Sequence, residues 1–277
     1  MKKWMYNVLI AIFSLVFVVS LGVLAKYYYD AYVQAHRYDD LSELMEQGAE
    51  VTRPTVSEEM EKLPETDQQD TSALTQVVNP ETGEIVSMLP QFKELYLMNQ
   101  DIVGWIKIPG TGIDYPVMQN LKTTDYYLKR NFDKEKSSRG CIYVRELCNV
   151  FTPSDNLTIY GHRMRDRSMF AQLDLYMDKS FWEENPYIYF DTLKEMHTYK
   201  IIAVFKTSGT AGQGFAYHQF VDAKTEEDFD SFVNSVKRLS LYDTGLTAQY
   251  GDKLISLSTC EYSINNGRLV VVAKRVA

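Results

Sequence analysis

The sequence has few cysteines and histidines, no internal repeat, no nucleotide-binding glycine loop and no excess of positive charge. Its three cysteines cannot all pair within one chain, because their number is odd. The formal net charge of -8 argues against a nucleic-acid partner, since neutralising phosphates requires a basic surface. What is present is the composition of a globular protein, with 45% hydrophobic and 24% charged residues, and 20 tyrosines that favour a β-rich fold.

A long apolar run near the N-terminus, Val8 to Ala25, contains no charged residue. As a helix it would reach about 27 Å, close to the thickness of the hydrocarbon core of a bilayer. We interpret it as a retained membrane anchor. The alternative is a cleaved signal peptide, because Val23-Leu24-Ala25 loosely resembles a cleavage site, but the run is long for one. Lys2 and Lys3 predict that the N-terminal tail stays in the cytoplasm and that the rest lies outside.

Composition divides the chain of 277 residues into four segments. We expect a cytoplasmic tail over residues 1–7, a transmembrane anchor over 8–25, a juxtamembrane segment with a flexible spacer over 26–88, and one folded domain over 89–277. A short juxtamembrane helix is expected within the third segment. Its C-terminal half is rich in Glu, Thr, Gln, Pro and Asp and holds few large apolar residues, so we expect it not to fold alone.

The folded domain shows many short β patterns and few helical ones. Thr225 is placed to cap one longer amphipathic helix, over residues 225–239, and short helices are expected over 92–98, 124–130 and 168–176. Many strands with few intervening helices predict a mainly antiparallel barrel or sandwich. The predicted strands cover residues 103–108, 113–117, 141–144, 157–160, 187–190, 199–205, 253–259 and 268–276.

Cys260 lies at the end of a predicted strand. Side chains alternate along a strand, so Ile255, Leu257 and Thr259 form one face, which we expect to be the core face. A cysteine that serves only as a small buried hydrophobe, the commonest role, belongs on that face. Cys260 instead shares the other face with Ser258, where the strand becomes polar, and this placement favours a reactive thiol.

A reactive thiol needs a cation or base nearby, because a free thiol with a pKa of about 8.5 is only slightly ionised at neutral pH. The turn residues Asn265-Asn266-Gly267 predict a hairpin that brings Arg268 beside Cys260. There Arg268 would supply a permanent positive charge and donors for an oxyanion. The alternative is that Arg268 is a solvated charge at a strand end.

A base must come from elsewhere in the chain. His36 lies in the juxtamembrane segment, His197 begins a strand and His218 lies in a glycine-rich region. His162 ends a predicted strand and follows Gly161, which permits a close approach of the backbone. A single histidine is most often structural or simply exposed, so the residues alone favour His162 only modestly.

Together these residues resemble the sortases, most of all those of class B. The segment Ser256-Leu257-Ser258-Thr259-Cys260 matches a Thr-Leu-X-Thr-Cys signature, with serine at the first position where the family usually has threonine. An arginine follows after a short loop in Gly267-Arg268-Leu269, and Tyr160-Gly161-His162 matches the histidine motif. The fragment Cys260-Glu261-Tyr262-Ser263 and the long helix before the last two strands are similar to class B. The resemblance covers residues 89–277.

The resemblance implies an eight-stranded β-barrel and a cysteine transpeptidase of a Gram-positive cell surface, without metal or organic cofactor. Cys260 would cleave a C-terminal sorting motif of a surface protein through a thioacyl intermediate. An amine of a peptidoglycan precursor or a pilin would then resolve the intermediate. His162 would transfer protons, Arg268 would hold the oxyanion, and Ser258 and Glu261 would contact the substrate. Residues 208–246 resemble the region that shapes the sorting-signal groove.

Two other interpretations stay open at this point. Another cysteine peptidase or an L,D-transpeptidase-like wall enzyme would use the same kind of thiol and histidine, but Ser258-Thr259-Cys260 lacks the His-Gly that the latter family places before its cysteine. A non-enzymatic surface-binding module would leave Cys260 buried and slow to react with a thiol reagent.

Overall fold

A computed structural model describes residues 3–49 and 74–277, so most of the predicted spacer, residues 50–73, lies outside the described part. The chain divides into two compact units, Met1–Glu43 and Leu44–Ala277. Helix α1 (Lys3–Gln47) is one uninterrupted helix of 45 residues, so the expected anchor and juxtamembrane helix are continuous. Among the described helices, α1 alone is long and apolar enough to cross a membrane, which makes it a candidate membrane anchor.

The C-terminal end of the predicted spacer is folded. Strands β1 (Thr75–Val78) and β2 (Ile85–Met88) pair as an antiparallel hairpin. Met88 is fully buried, and the side-chain amide of Asn79 donates a hydrogen bond to the Tyr96 hydroxyl at 2.7 Å. The expectation of an unfolded spacer up to residue 88 is therefore wrong for this hairpin, because the neighbouring domain supplies the burial that the segment lacks alone.

A closed eight-stranded barrel forms the centre of the second unit, which confirms the mainly β fold. Its strands follow the order β10-β8-β7-β3-β4-β5-β6-β9 around the barrel. Neighbours pair antiparallel except β4 with β5 and β6 with β9, which pair parallel. The ranges are β3 (Ile102–Ile108), β4 (Ile113–Met118), β5 (Ile142–Val144), β6 (Asn156–Tyr160), β7 (Tyr187–Thr192), β8 (Thr198–Ser208), β9 (Leu254–Glu261) and β10 (Gly267–Arg275).

Short helices connect the strands. The α-helices are α2 (Lys93–Met98), α3 (Lys179–Glu184) and α4 (Glu226–Leu239), and 3₁₀ helices occupy Pro90–Phe92, Tyr126–Lys129, Ala171–Met177 and Tyr217–Gln219. Two of the expected short helices are thus 3₁₀ helices. The predicted cap of α4 is confirmed, because the Thr225 hydroxyl accepts a hydrogen bond from the Asp228 N–H at 3.2 Å.

Strand β9 is buried on both faces, which differs from the expectation of a single core face. Every residue from Leu254 to Thr259 is buried. Leu254 packs in one cluster with Phe229 and Val236 of α4, so this helix covers the start of the second face. Cys260, the next residue, is only partly buried. The degree of burial therefore does not distinguish the two faces of β9. Cys260 is partly exposed because the fully buried part of the strand ends at Thr259.

Candidate active site

The last two strands place Cys260 directly opposite Arg268. The two residues are register partners in the antiparallel pair of β9 and β10, which confirms the predicted hairpin. On its other side Arg268 is the partner of Thr207 in β8, so it lies inside the sheet and not at a free edge. Directly opposed residues point to the same face with Cβ atoms about 5 Å apart. The thiol and the guanidinium therefore share one face of the barrel.

Strand β6 brings His162 to the same end of the barrel. It runs parallel to β9, so both strands end at the same edge. The Gly161 N–H donates a hydrogen bond to the Ser258 carbonyl at 3.1 Å. A Cβ at Gly161 would lie 2.5 Å from the Ile142 side chain and 2.6 Å from the Phe170 ring, so the absence of a side chain lets these two residues pack against the end of β6. His162 therefore comes directly after Gly161, and Cys260 two residues after Ser258, on two neighbouring segments of the chain.

The imidazole of His162 is held by a backbone carbonyl. Its Nε2 lies 2.7 Å from the Leu128 oxygen. A carbonyl oxygen can only accept a hydrogen bond, so this contact requires the proton on Nε2. Nδ1 is then the ring nitrogen that remains for proton exchange.

A cleft of about 250 Å³ joins the candidate residues. Cys260, His162, Arg268 and Ser258 line it, whereas Glu261 does not. The structure therefore brings together four of the five residues that the sequence singled out. The lining also contains Asp125, Leu128 and Tyr143, which the sequence did not single out for this site. It further contains Tyr160 of the histidine motif, and Ser208, Gly209, Tyr217 and His218 from the segment that the resemblance assigned to the groove.

One side of the Arg268 guanidinium is fixed by its own turn. Nη1 donates to the carbonyl and to the side-chain oxygen of Asn266, at 3.1 and 3.0 Å, and to the Gly267 carbonyl at 3.0 Å. Gly209 gives the group space, since a Cβ there would lie 3.0 Å from the guanidinium carbon. Among the described residues Nε and Nη2 have no hydrogen-bond partner, so these donors are left for a ligand.

Ser258 is coupled to a tyrosine from the segment between β8 and α4. Its hydroxyl lies 2.5 Å from the hydroxyl of Tyr217, and both side chains are buried. Burial raises the pKa of Tyr217, although the hydrogen bond from Ser258 and the charge of Arg268 act in the opposite direction. The pair is therefore neutral at physiological pH, and both residues line the cleft.

The Glu261 carboxylate is engaged away from the cleft. It lies 3.3 Å from the Lys206 Nζ and accepts a hydrogen bond from the Ser263 hydroxyl at 2.7 Å. Burial alone would raise the pKa of Glu261, but the hydrogen bonds from Ser263 and Lys206 outweigh it and hold this pKa below its ordinary value. The carboxylate thus fixes the start of the loop after β9.

A second histidine, His218, lines the same cleft. Its backbone carbonyl accepts a hydrogen bond from the Arg145 guanidinium. Burial lowers the pKa of His218, and the charges of Arg145 and Arg268 lower it further, so its imidazole is neutral at physiological pH. Neither His36 nor His197 lines the cleft. The geometry thus reduces the candidates for a base to two.

The other two cysteines are buried and lie outside the cleft. Cys148 contacts the Asn156 carbonyl at 3.5 Å, and burial raises the pKa of its thiol, which opposes ionisation. Cys141 is buried as well. Within residues 3–49 and 74–277, no group of three or more His, Cys, Asp or Glu side chains is arranged to hold a metal ion.

Comparison with known sequences identifies related proteins. A family model described as the sortase domain matches residues 106–276. The chain is 35% identical over 190 residues to sortase B of Staphylococcus aureus, and 35% identical over 189 residues to sortase B of Listeria monocytogenes. Each alignment covers 67% of this chain and 74% of the relative.

Solved structures share the fold. Sortase B from Bacillus anthracis in complex with AAEK1 superimposes with a TM-score of 0.66 at 29% identity, covering 90% of this chain and 98% of the other. A Staphylococcus aureus sortase B–substrate complex gives a TM-score of 0.62 at 34% identity, covering 68% of this chain and 85% of the other. The likeness therefore includes a structure with a bound substrate.

Proposed function

This chain belongs to the sortase family and is a class B sortase, a cysteine transpeptidase, and we propose that Cys260 is its nucleophile, His162 its proton-transfer group and Arg268 its oxyanion ligand. One observation carries this assignment: Cys260 and Arg268 are register partners in a cleft that His162 also lines. The family assignment replaces the interpretations as an L,D-transpeptidase-like enzyme or a binding module.

Acylation begins with the Cys260 sulfur, which attacks the carbonyl carbon of the threonine in a sorting motif. A C–S bond forms, and the carbonyl electron pair moves to oxygen, where Nε and Nη2 of Arg268 stabilise the charge. The Glu261 backbone N–H contributes a second donor. His162 carries the thiol proton to the leaving nitrogen, and the C–N bond breaks to release the C-terminal fragment.

Deacylation reverses these roles. The acceptor nitrogen attacks the thioester carbon, a C–N bond forms, and the oxyanion again rests on Arg268. His162 takes the proton from the amine, and the C–S bond breaks to return the thiolate of Cys260. The peptide bond that was broken is replaced by a new amide bond, so the cycle consumes no cofactor or external energy source.

Ser258 binds the sorting motif through its hydroxyl, with Tyr217 as the partner that orients it. This role is supported by their 2.5 Å contact and by the presence of both residues in the cleft. Glu261 acts through its backbone, because Lys206 and Ser263 hold its carboxylate. This differs from a contact made by the Glu261 side chain, which would require those two hydrogen-bonding partners to be released.

The candidate anchor α1 supports the proposed location. Residues 1–7 form the cytoplasmic tail, residues 8–25 cross the membrane once, and the catalytic domain over residues 89–277 lies outside the cell. The donors are surface proteins that carry a sorting signal. The acceptor is an amine of a peptidoglycan precursor or of a pilin.

The test of this function uses the full chain in detergent with a library of peptides that vary around a sorting motif, incubated with an added amine. We expect two products for each cleaved peptide: the C-terminal fragment, and the N-terminal fragment joined to the amine. Mass spectrometry identifies both and names the preferred motif. A library that stays uncleaved, with and without amine, would contradict the proposed substrate class.

The variant Arg268→Lys is expected to lose about 10²–10³-fold in kcat/KM, because a lysine keeps the charge but cannot present the planar donor fork. The measurement is the initial rate of peptide cleavage. The matched control is Arg238→Lys, since Arg238 is exposed on α4 and outside the cleft. Near-normal turnover of Arg268→Lys would remove the oxyanion role.

A further inference from the structure

A second cleft, of about 520 Å³, is lined partly by residues that are close in the chain to residues of the first. No residue lines both, but His162 lines the first and Arg163 the second. Tyr262, which also lines the second cleft, follows Cys260 by two positions. We call this second volume the arginine cleft, because its polar lining consists of Arg163, Arg165 and Arg167 with Asp174 and Tyr262.

The arginine cleft carries unbalanced positive charge. Asp174 forms ion pairs with Arg163 and Arg167, each at 3.0 Å, so one carboxylate serves two guanidinium groups. Arg165 is exposed and has no hydrogen bond or ion pair within the described part of the chain. Three positive charges against one negative charge leave two uncompensated. Although the whole protein has a net charge of -8, the electrostatic potential of this cleft therefore favours the binding of an anion.

The nearest acid in sequence does not neutralise this excess. Asp166 pairs with Arg139 at 2.6 Å, and it accepts a hydrogen bond from the Ser168 hydroxyl at 2.7 Å. Arg139 is buried and does not line the arginine cleft. Because the carboxylate of Asp166 is paired with this buried guanidinium, it does not neutralise the arginines of the cleft, and two positive charges there remain uncompensated.

The loop that presents the arginines is closed on itself. Arg163 and Met169 form a β-bridge, and the His162 carbonyl accepts a hydrogen bond from the Phe170 N–H at 3.0 Å. The Arg163 guanidinium lies 5.2 Å from the centre of the Tyr262 ring, which connects this loop to the segment after Cys260. The backbone of this loop and the side chains of Arg163 and Arg167 are therefore held in place before any ligand binds.

We propose that the arginine cleft binds an anionic group of the amine acceptor and thereby directs the acceptor amine to the thioacyl group on Cys260. The inference rests on the proposed function, since it presumes that intermediate. A transpeptidase needs space for two substrates, and the first cleft, with Ser258 and Tyr217, serves the donor. Guanidinium forks match the oxygens of a carboxylate or a phosphate, so the acceptor carries one of these oxyanions near its amine.

The test compares two acceptors that share one amine and differ by one charge, triglycine and triglycine amide. The full chain is acylated with a donor peptide at low ionic strength, and the ratio of amide product to hydrolysis product is measured for each acceptor. We expect the wild-type chain to favour triglycine by about fivefold, the size of a partly exposed ion pair. Inorganic phosphate provides a second arm, as a competitor of aminolysis by triglycine amide.

Matched variants assign the effect to the cleft. Arg165→Gln should reduce the preference from about fivefold to about twofold and leave hydrolysis unchanged, because it removes one of the two uncompensated charges of the cleft. Arg165→Lys should keep much of the preference, and Arg238→Gln, which removes an exposed charge on α4, should keep all of it.

The outcomes separate the sources of the anion. A preference for triglycine that Arg165→Gln reduces, and that Arg238→Gln leaves unchanged, supports a peptide carboxylate. Inhibition by phosphate that Arg165→Gln weakens, without a preference for triglycine, supports a phosphate-bearing acceptor. Equal use of both acceptors and no inhibition by phosphate overturns the inference while the thioacyl enzyme still forms. Absence of the thioacyl enzyme would instead contradict the proposed function.

Discussion

Replacement of Cys260 by alanine is expected to abolish cleavage of a sorting peptide, a fall of about 10⁴-fold or more, because no other group can form the thioacyl bond. Cys260 is the one cysteine that lines the cleft. The measurement is release of the C-terminal fragment over hours at high enzyme concentration. The two remaining thiols are buried, so they cannot substitute for it.

The matched control for this prediction is Cys148→Ala. Cys148 is buried, and its thiol contacts the Asn156 carbonyl. This variant is expected to lose some stability as a small cavity forms, and to keep its turnover per folded molecule. Cleavage by Cys260→Ala at a rate near that of the wild-type chain would exclude Cys260 as the nucleophile.

Replacement of His162 by alanine is expected to reduce kcat/KM by about 10²–10⁴-fold, the range for loss of a general acid–base group. The comparison is informative because His218 lies in the same cleft and offers a second imidazole. Burial and the charges of Arg145 and Arg268 lower the pKa of His218, so it resists the protonated state that a leaving amine requires. His218→Ala should therefore change kcat/KM by only a few-fold.

The pH profile checks this assignment. Because the lowered pKa of His218 keeps its imidazole neutral at physiological pH, His218→Ala should leave the pH dependence of kcat/KM near neutrality unchanged. If His218→Ala instead changed this pH dependence and lowered kcat/KM by the large factor expected for His162→Ala, the proton-transfer role would move from His162 to His218.

The pairing of Cys260 with Arg268 could be predicted because it is local. The turn at Asn265-Asn266-Gly267 joins two strands that follow each other in the chain, so register follows from the turn. The position of His162 depends on a parallel pairing between β6 and β9, which lie almost 100 residues apart. A short-range pattern carries no information on such a pairing, and family resemblance supplied it.

Residues that meet only in three dimensions were not predicted. Tyr217 reaches Ser258 from a segment that the resemblance assigned to the groove, but the sequence marks no particular tyrosine in it. The contact of His162 with the Leu128 carbonyl involves a backbone atom, which every residue offers. Glu261 was expected to contact substrate, and its ion pair with Lys206 depends on strand β8, which is separated from β9 by β10.

The hairpin β1–β2 is folded although amino-acid composition predicted that its segment would not fold alone. Its two strands have four residues each, and its turn begins with Asn79-Pro80 and ends near Gly83, which are turn signals. Low apolar content predicted that the segment cannot fold alone. That prediction does not exclude folding against a neighbour, and the contact of Asn79 with Tyr96 provides one.

The most direct test of the central claim is the mass of the intact enzyme during turnover. The full chain is mixed with a donor peptide without amine, quenched in acid, and weighed whole and after digestion. We expect a mass increase equal to the N-terminal donor fragment, located on the peptide that contains Cys260 and removed by hydroxylamine. Product formation with no adduct, or with the adduct on any other residue, would contradict catalysis by this thiol.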